Sequence, residues 1–342
     1  MKSNKSVIFP IFFAALSIFL SLSCGVRGST GQSSDGTRVE AIPIELDPKN
    51  PGVRRVGTLT YLAGFELRST DPRFGGLSGL ALTSDGSVLY AISDRGYWLR
   101  ALLRHDADGR LTEISGWNIG RLLTPEGDAV SGLLIDAEGL AFGPDGSFVV
   151  SFERMHRLWR YPSSPVAFSS PARSLPVPAD LDKAPNNGGI EGVTVLPDGR
   201  LLIITEEYRN PDGSVKGWLI RGDRFEPFSY LSSEGFSPTD LATLPNGDVL
   251  LLERRYGQLA GVAVRIQILS AASIRPGSQL KGEEIASLAP PLAVDNFEGI
   301  AVRQDSNGDT LVYIISDDNY SSFQRTYLLQ FRLERDSGNS GG

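Results

Sequence analysis

A six-residue pattern returns five times along the chain and constrains its fold more than any other feature. Gly76-Leu77-Ser78-Gly79-Leu80-Ala81 recurs as Asp136-Ala137-Glu138-Gly139-Leu140-Ala141 and as Gly189-Ile190-Glu191-Gly192-Val193-Thr194. It returns again as Ser237-Pro238-Thr239-Asp240-Leu241-Ala242 and Asn296-Phe297-Glu298-Gly299-Ile300-Ala301. Successive copies start 60, 53, 48 and 59 residues apart, so each copy opens a unit of about 50 residues. A turn follows each copy, at Asp85-Gly86, Asp145-Gly146, Asp198-Gly199, Asn246-Gly247 and Asn307-Gly308, and an apolar, β-branched run follows each turn. Such dipeptides between apolar runs mark hairpins, because both residues tolerate positive φ.

Third and fourth strands fit behind each hairpin, except that the fifth unit runs out of chain before its fourth. The segment Val56–Leu67 is strand-like and has no unit of its own, so it can supply that strand and close a ring. The expected fold is therefore all-β: a β-propeller of four-stranded antiparallel blades, closed by an N-terminal strand. The repeat count gives five blades, with six as the alternative should 37–67 hold more strands. The 38 Gly and 21 Pro suit many short elements, and the 41% hydrophobic content excludes a disordered chain.

The N-terminus reads as an export leader. Lys2 and Lys5 precede an apolar run from Val7 to Leu22, slightly short for a membrane span, with small residues at Ser21 and Ser23. Cys24, the single cysteine, follows at once, so the segment resembles a bacterial lipoprotein signal with Cys24 as the lipidated residue. Ordinary secretion is the alternative. The expected organisation is a signal peptide at 1–23, a flexible tether at 24–52, one propeller at 53–335 and a polar tail at 336–342. The expected location is the periplasm or cell surface, with membrane contact only through a lipid on Cys24.

One cysteine excludes an intrachain disulfide and a cysteine-ligated zinc site. With His105 and His156 alone, a multi-histidine metal site is nearly excluded too. The net charge is −7, which disfavours nucleic acid and anionic lipid as partners. No Gly-x-Ser-x-Gly is present, so a serine-hydrolase triad is not expected. The partner expected is a small anionic or ester substrate, bound by a monomer.

Propeller geometry turns the repeat into a site. Inner strands begin, and second strands end, on one face, while the Asp-Gly turns lie on the other. One ring of side chains at that mouth is Ser78, Glu138, Glu191, Thr239 with Asp240, and Glu298. A second is drawn from Asp94-Arg95, Glu153-Arg154, Glu206-Glu207, Glu253-Arg254 and Asp317-Asp318, of which alternation lets one residue per pair face the channel. Two unit charges about 8 Å apart cost ~2 kcal/mol at an effective dielectric of about 20, so the site must take up protons, pair with arginine or bind cations. Arg95, Arg154 and Arg254 are placed to pair. Oxygen ligands without His or Cys suit Ca²⁺ or Mg²⁺. A motif present in every blade also suits a purely architectural role, with carboxylates accepting backbone N–H groups from the next blade.

Gly189-Ile190-Glu191-Gly192-Val193, followed by Asp198-Gly199-Arg200 and Leu201-Leu202-Ile203-Ile204-Thr205-Glu206-Glu207, resembles the central stretch of the bacterial β-propeller phytases. From about Val53 onward the chain is more similar still to the phytase-like proteins described as having esterase-like activity. That resemblance implies a metal or catalytic-water role for Glu191, and calcium ligation by Glu206 and Glu207. Six blades and further Asp and Lys clusters characterise the phytases, and this chain departs from both.

The expected activity is hydrolysis of a phosphate or carboxylic ester, assisted by Ca²⁺ or alternatively Mg²⁺. Glu191 would be the base and Arg95, Arg154 or Arg254 would hold the anion. The metal ligands would come from Glu138, Glu191, Glu206, Glu207, Glu298, Asp317 and Asp318. Two alternatives stand beside it. One is a calcium-dependent lactonase of gluconolactonase type, which would need Asn296 and Asp240 at the same mouth. The other is a non-catalytic surface propeller that binds a ligand or protein.

Overall fold

The computed structural model describes residues 38–163, 167–257 and 261–334. The leader, Cys24 and the polar tail lie outside these residues. Among the described residues no helix is long and apolar enough to cross a membrane.

Five separate antiparallel sheets form the blades. Their inner strands are Leu77–Leu82, Ala137–Phe142, Ile190–Val195, Ser237–Thr243 and Asn296–Gln304. Each inner strand lies next to the inner strands of the blades before and after it, the fifth against the first, so the ring is closed. The blade count is therefore five. Each of the five hydrophobic clusters fills one interface between neighbouring blades. Leu77, Leu99, Tyr313 and Leu328, for example, seal the first blade against the fifth. Burying a side chain of this size is worth about 1.5–3 kcal/mol, so the seams between blades supply most of the fold's apolar stabilisation.

The fifth blade takes Thr310–Asp317 and Thr326–Leu333 from the C-terminal end of the chain. Leu59–Ser69 pairs with Thr326–Leu333 as the fourth strand, as the unpartnered N-terminal segment led one to expect. The expected tether at 24–52 overlaps this blade. Val39–Pro43 pairs with Leu59–Ser69 as a fifth strand, and Leu46 is fully buried in the cluster between the fourth and fifth blades. An apolar residue at 46 has a place in that seam, which holds the chain to the fold well before residue 53.

The hairpin turns depart from the expected conformation in one respect. Only the glycine is left-handed: φ is 70° at Gly86, 77° at Gly146, 81° at Gly199, 90° at Gly247 and 75° at Gly308. In the first four turns the preceding Asp or Asn instead accepts a backbone N–H two residues on, as Asp85 does from Ser87 at 3.0 Å, and in the fifth Asp305 accepts from Asn307 and Asp309. Pro144, Pro197 and Pro245 occupy the second turn position, where their fixed φ fits.

At the axis, the third position of every motif is a β-bulge. The pairing with the second strand skips a residue after Leu77, Ala137, Ile190, Pro238 and Phe297. The unpaired residues include Ser78, Glu138, Glu191, Thr239 and Glu298, which the bulge re-aims at the channel mouth. The glycine that follows is required by close approach. A Cβ on Gly139 would lie 2.2 Å from the Glu191 carbonyl oxygen of the next inner strand, and one on Gly299 would lie 3.0 Å from the Leu80 nitrogen. Gly139→Ala is expected to cost about 2–3 kcal/mol by urea denaturation, because backbone must move. Gly199→Ala, with nothing within 4 Å, should cost only the strain of positive φ, about 1–2 kcal/mol.

Candidate active site

The equivalent registers fix which residues form the second ring. The residue paired with the one before the bulge is Ser93, Phe152, Thr205, Glu253 and Ser316 in blades one to five. The residue after each is Asp94, Glu153, Glu206, Arg254 and Asp317. This corrects the fourth pair by one position, because Glu253-Arg254 is out of step with the others. Glu253 instead lies on the opposite face of its strand, fully buried, accepting Tyr230 Oη at 2.9 Å, Gln267 Nε2 at 2.8 Å and the Arg265 guanidinium. Arg254 takes the ring position that is acidic in the other four blades. A one-residue shift along a strand changes the face, and here it places a cation among carboxylates.

Arg254 is the hub of the mouth. Its guanidinium meets Glu298 at 2.9 Å and Glu206 at 3.3 Å, and donates to Asn296 Oδ1. Glu206, which has no arginine nearby in sequence, thus receives one from the next blade. Glu207 is exposed beside Gly188, outside the channel. Asp317 accepts the Asn319 N–H at 2.6 Å, and Asp318 accepts the N–H groups of Tyr320 at 3.0 Å and Gly76 at 3.1 Å. Asp318 thereby ties the fifth blade to the first. Arg95 stacks 3.3 Å from the Tyr320 ring centroid, and Arg154 pairs with Asp136 at 2.6 Å.

Asp240 plays the architectural part with both carboxylate oxygens, and Glu153 does so with Oε1 alone. Asp240 occupies the glycine position of the fourth motif, fully buried, and accepts Leu241 N and Ile300 N at 2.8 Å each, bridging two inner strands. It is committed to backbone and is not free at the mouth. Glu153 accepts Gly188 N at 2.7 Å and also Gly189 N, so it holds the entry to the third inner strand. Glu138 and Glu191 accept no backbone N–H of this kind among the described residues.

The oxygens of Asp136, Glu138 and Glu153 lie within 4.8 Å of one another, a group that could hold a metal ion. Asp136 and Glu153 stand outside the ligand set expected from sequence. The signal was present: the second motif is the one copy that begins with an acid, and residues 136 and 138 share a strand face. His156 was also missed. Its ring packs against Gly189, and neither ring nitrogen has a hydrogen-bond partner. His105 lies at the other face, accepting from or donating to Tyr313 Oη at 2.9 Å.

Electrostatics at the mouth follow from crowding in a place with little water. Glu138 is pushed well above the usual carboxylate range first by burial and then by Glu153, Glu298, Asp136 and Asp94; Glu191 is pushed up first by burial and then by Glu138, Glu153, Glu206 and Glu298. Burial raises Asp94 to about 6, Glu153 to about 7 and Asp317 to about 9, although Glu153 is held down by its two backbone donors and by a hydrogen bond with Glu191. Glu153 and Glu191 therefore titrate as a pair. A cavity of about 550 Å³ lies at the far end of the channel, lined by Leu82, Phe142 and Pro144 among others on the turn side. It is remote from this chemistry.

The family model described as "Phytase-like: Esterase-like activity of phytase" matches residues 72–320, and the chain belongs to this family. No curated protein matches the sequence significantly. Among solved structures, the chain is similar to a PQQ-bound aldose sugar dehydrogenase from Streptomyces coelicolor, at 14% identity over 82% of this chain and 99% of that one, TM-score 0.43. It is similar to a protein of unknown function from Dyadobacter fermentans, at 15% identity over 88% and 92%, TM-score 0.44. A gluconolactonase from Xanthomonas campestris matches at 12% identity over 85% and 97%, TM-score 0.39.

Groups whose folded pKa is raised bind more protons folded than unfolded, so stability falls as pH rises from the unfolded value, near 4, through the folded one. In metal-free buffer the urea midpoint should therefore drop steadily between pH 5 and pH 9. Glu138→Gln should flatten that slope. A midpoint independent of pH would contradict the crowded ring.

Proposed function

We propose that this propeller is a metal-assisted hydrolase of phosphate or carboxylic esters, working at the acidic mouth. The observation that carries the reading is the Asp136–Glu138–Glu153 group, with Glu191 hydrogen-bonded to Glu153. Three carboxylates in reach of one another form an all-oxygen donor set, which fits Ca²⁺ and, with fewer protein ligands, Mg²⁺. Bound there, the ion would supply Lewis-acid polarisation of the ester oxygen. Membership of the phytase-like family supports the same reading.

The chain's own groups supply the proton transfers. Water adds to the phosphoryl or carbonyl centre, its proton passes to ionised Glu153, and the bond to the alcohol oxygen breaks. Glu191 gives the departing oxygen a proton. Glu191, read from sequence as the base, thus takes the acid's role, because burial and neighbouring carboxylates favour its protonated form. Arg254 limits the negative charge facing an incoming anion. Arg154 pairs with Asp136 at 2.6 Å and offsets part of that ligand's charge. The lactonase alternative is weakened by Asp240, which is taken up by backbone. The export signal and single Cys24 support action outside the cytoplasm, with the protein tethered by lipid.

In millimolar CaCl₂ the protein should hydrolyse p-nitrophenyl phosphate or p-nitrophenyl acetate. Glu191→Gln should lower the rate on an alkyl ester such as glycerol 2-phosphate, whose leaving alcohol needs a proton, by about 100-fold or more without lowering the melting temperature. Millimolar Ca²⁺ should raise the wild-type melting temperature and leave that of Glu138→Gln nearly unmoved. If neither Ca²⁺ nor Mg²⁺ moves the wild type and neither ester is turned over, the non-catalytic binding propeller is the better account.

A further inference from the structure

We infer that the mouth face of the propeller docks on a lipid bilayer, with apolar side chains from its loops set among the headgroups. Among the described residues six large apolar side chains are exposed. Five of them stand on mouth loops, each on a different one. Leu133 lies on the link from the first blade to the second, and Met155 between Phe148–Phe152 and Arg157–Tyr161 of the second. Leu231 follows the outer strand Arg224–Tyr230 of the third, Tyr256 lies at the end of Val249–Gly257 of the fourth, and Phe323 precedes Thr326–Leu333 of the fifth. They are 40% to 93% exposed. The sixth, Leu102, lies within a strand, so the turn loops present none among the described residues. Single exposed apolar residues are ordinary, but one from each part of the ring at the same end of the molecule is not.

These side chains are held out against backbone strain. Arg154, Glu234, Asn319 and Tyr320 have left-handed backbones, at φ 55°, 58°, 48° and 50°, which residues other than glycine rarely adopt. Arg154 immediately precedes Met155, Glu234 lies three residues beyond Leu231, and Asn319 and Tyr320 lead into the loop of Phe323. That last loop is tied down further, because Asp295 accepts Gln324 Nε2 at 3.2 Å and Arg325 N at 2.8 Å. Strain retained in three of the five loops points to a surface whose use lies outside the fold.

The point at which the chain enters the propeller names the partner. Val39 pairs with Ser69, two residues past Leu67, which is the partner of Thr326 at the mouth. The chain therefore enters at the mouth end. Fourteen residues, 25–38, separate this point from Cys24, and fully extended they reach at most about 50 Å. A propeller tethered through that segment offers the membrane its mouth edge at high effective concentration. The core of a protein interface is a continuous apolar patch, whereas these tips sit on separate loops around an acidic opening, which suits insertion between headgroups. The net charge of −7 favours a zwitterionic surface over an anionic one. The inference draws on the tether read from the sequence and not on hydrolysis.

The test is amide hydrogen exchange on the full chain as exported, with and without phosphatidylcholine vesicles. Vesicles should slow exchange at least twofold in peptides covering 131–135, 154–157, 231–236 and 319–325, and leave the turns at 85–87, 145–147 and 198–200 unchanged. Tyr256→Ala combined with Phe323→Ala should remove at least half of that slowing at an unchanged melting temperature, both side chains being exposed. Slowing on both faces, on the turn face alone or on neither would overturn the inference. So would mouth protection that appears without vesicles as protein concentration rises, since a second copy would then be the occupant. Mass spectrometry of the N-terminal peptide reads the tether separately: an unmodified Cys24 would end the lipid anchor alone, and mouth protection by vesicles would still carry the docking. Turnover enters neither measurement, so failure of the hydrolase reading leaves both results standing.

Discussion

Five inner strands meet around one axis, and the closeness of that meeting governs everything built on it. Where Gly139 faces the Glu191 carbonyl there is no room for a Cβ, and Gly79, Gly192 and Gly299 are similarly confined. The bulge before each glycine lets the strand pass this tight point, and it leaves the preceding side chain unpaired and aimed at the mouth. Close packing at the axis and convergence of functional groups are thus two results of one local device. The fourth blade solves the same problem differently. Asp240 replaces the glycine and turns its carboxylate to the backbone of the fourth and fifth inner strands.

Convergence of this kind has an electrostatic cost, and the molecule meets it unevenly. On the side of the fourth and fifth blades, Arg254 neutralises part of the charge of Glu206 and Glu298. On the side of the second and third blades, Glu138, Glu153 and Glu191 crowd one another, and Arg154 is engaged by Asp136. The side of the second and third blades holds the acidic group that could take a metal ion. The mouth is therefore polarised into a half with a fixed cation and a half with room for an exchangeable one. Backbone strain collects at the same end of the molecule: Arg154, Glu234, Asn319 and Tyr320, the four non-glycine residues of positive φ among those described, all belong to mouth loops.

Much of this could be read in advance because a repeat carries its geometry with it. The Glu-Gly steps at 138, 191 and 298 and the Asp-Gly turns place inner strands, second strands and the two faces without any knowledge of contacts. The fourth pair was misjudged for an instructive reason. Glu253-Arg254 looks like Glu153-Arg154, and only the pairing of Pro238 with Glu253 reveals that the two are one residue out of step. Sequence similarity between copies is blind to a single-residue slip, and a slip in a strand exchanges its faces. The strand at Val39–Pro43 was overlooked because it depends on pairing with Leu59–Ser69 further along the chain, whereas Asp136 has its partners Glu138, Glu153 and Arg154 close by in sequence.

The sequence by itself determined the architecture, the five units, the N-terminal closure and the gathering of acids at one mouth, since these follow from periodicity and alternation along the chain. Only the tertiary structure decided which acids remain available. Whether a carboxylate meets a backbone N–H, a guanidinium or another carboxylate depends on the adjoining blade, roughly fifty residues away, and local sequence carries no record of that neighbour.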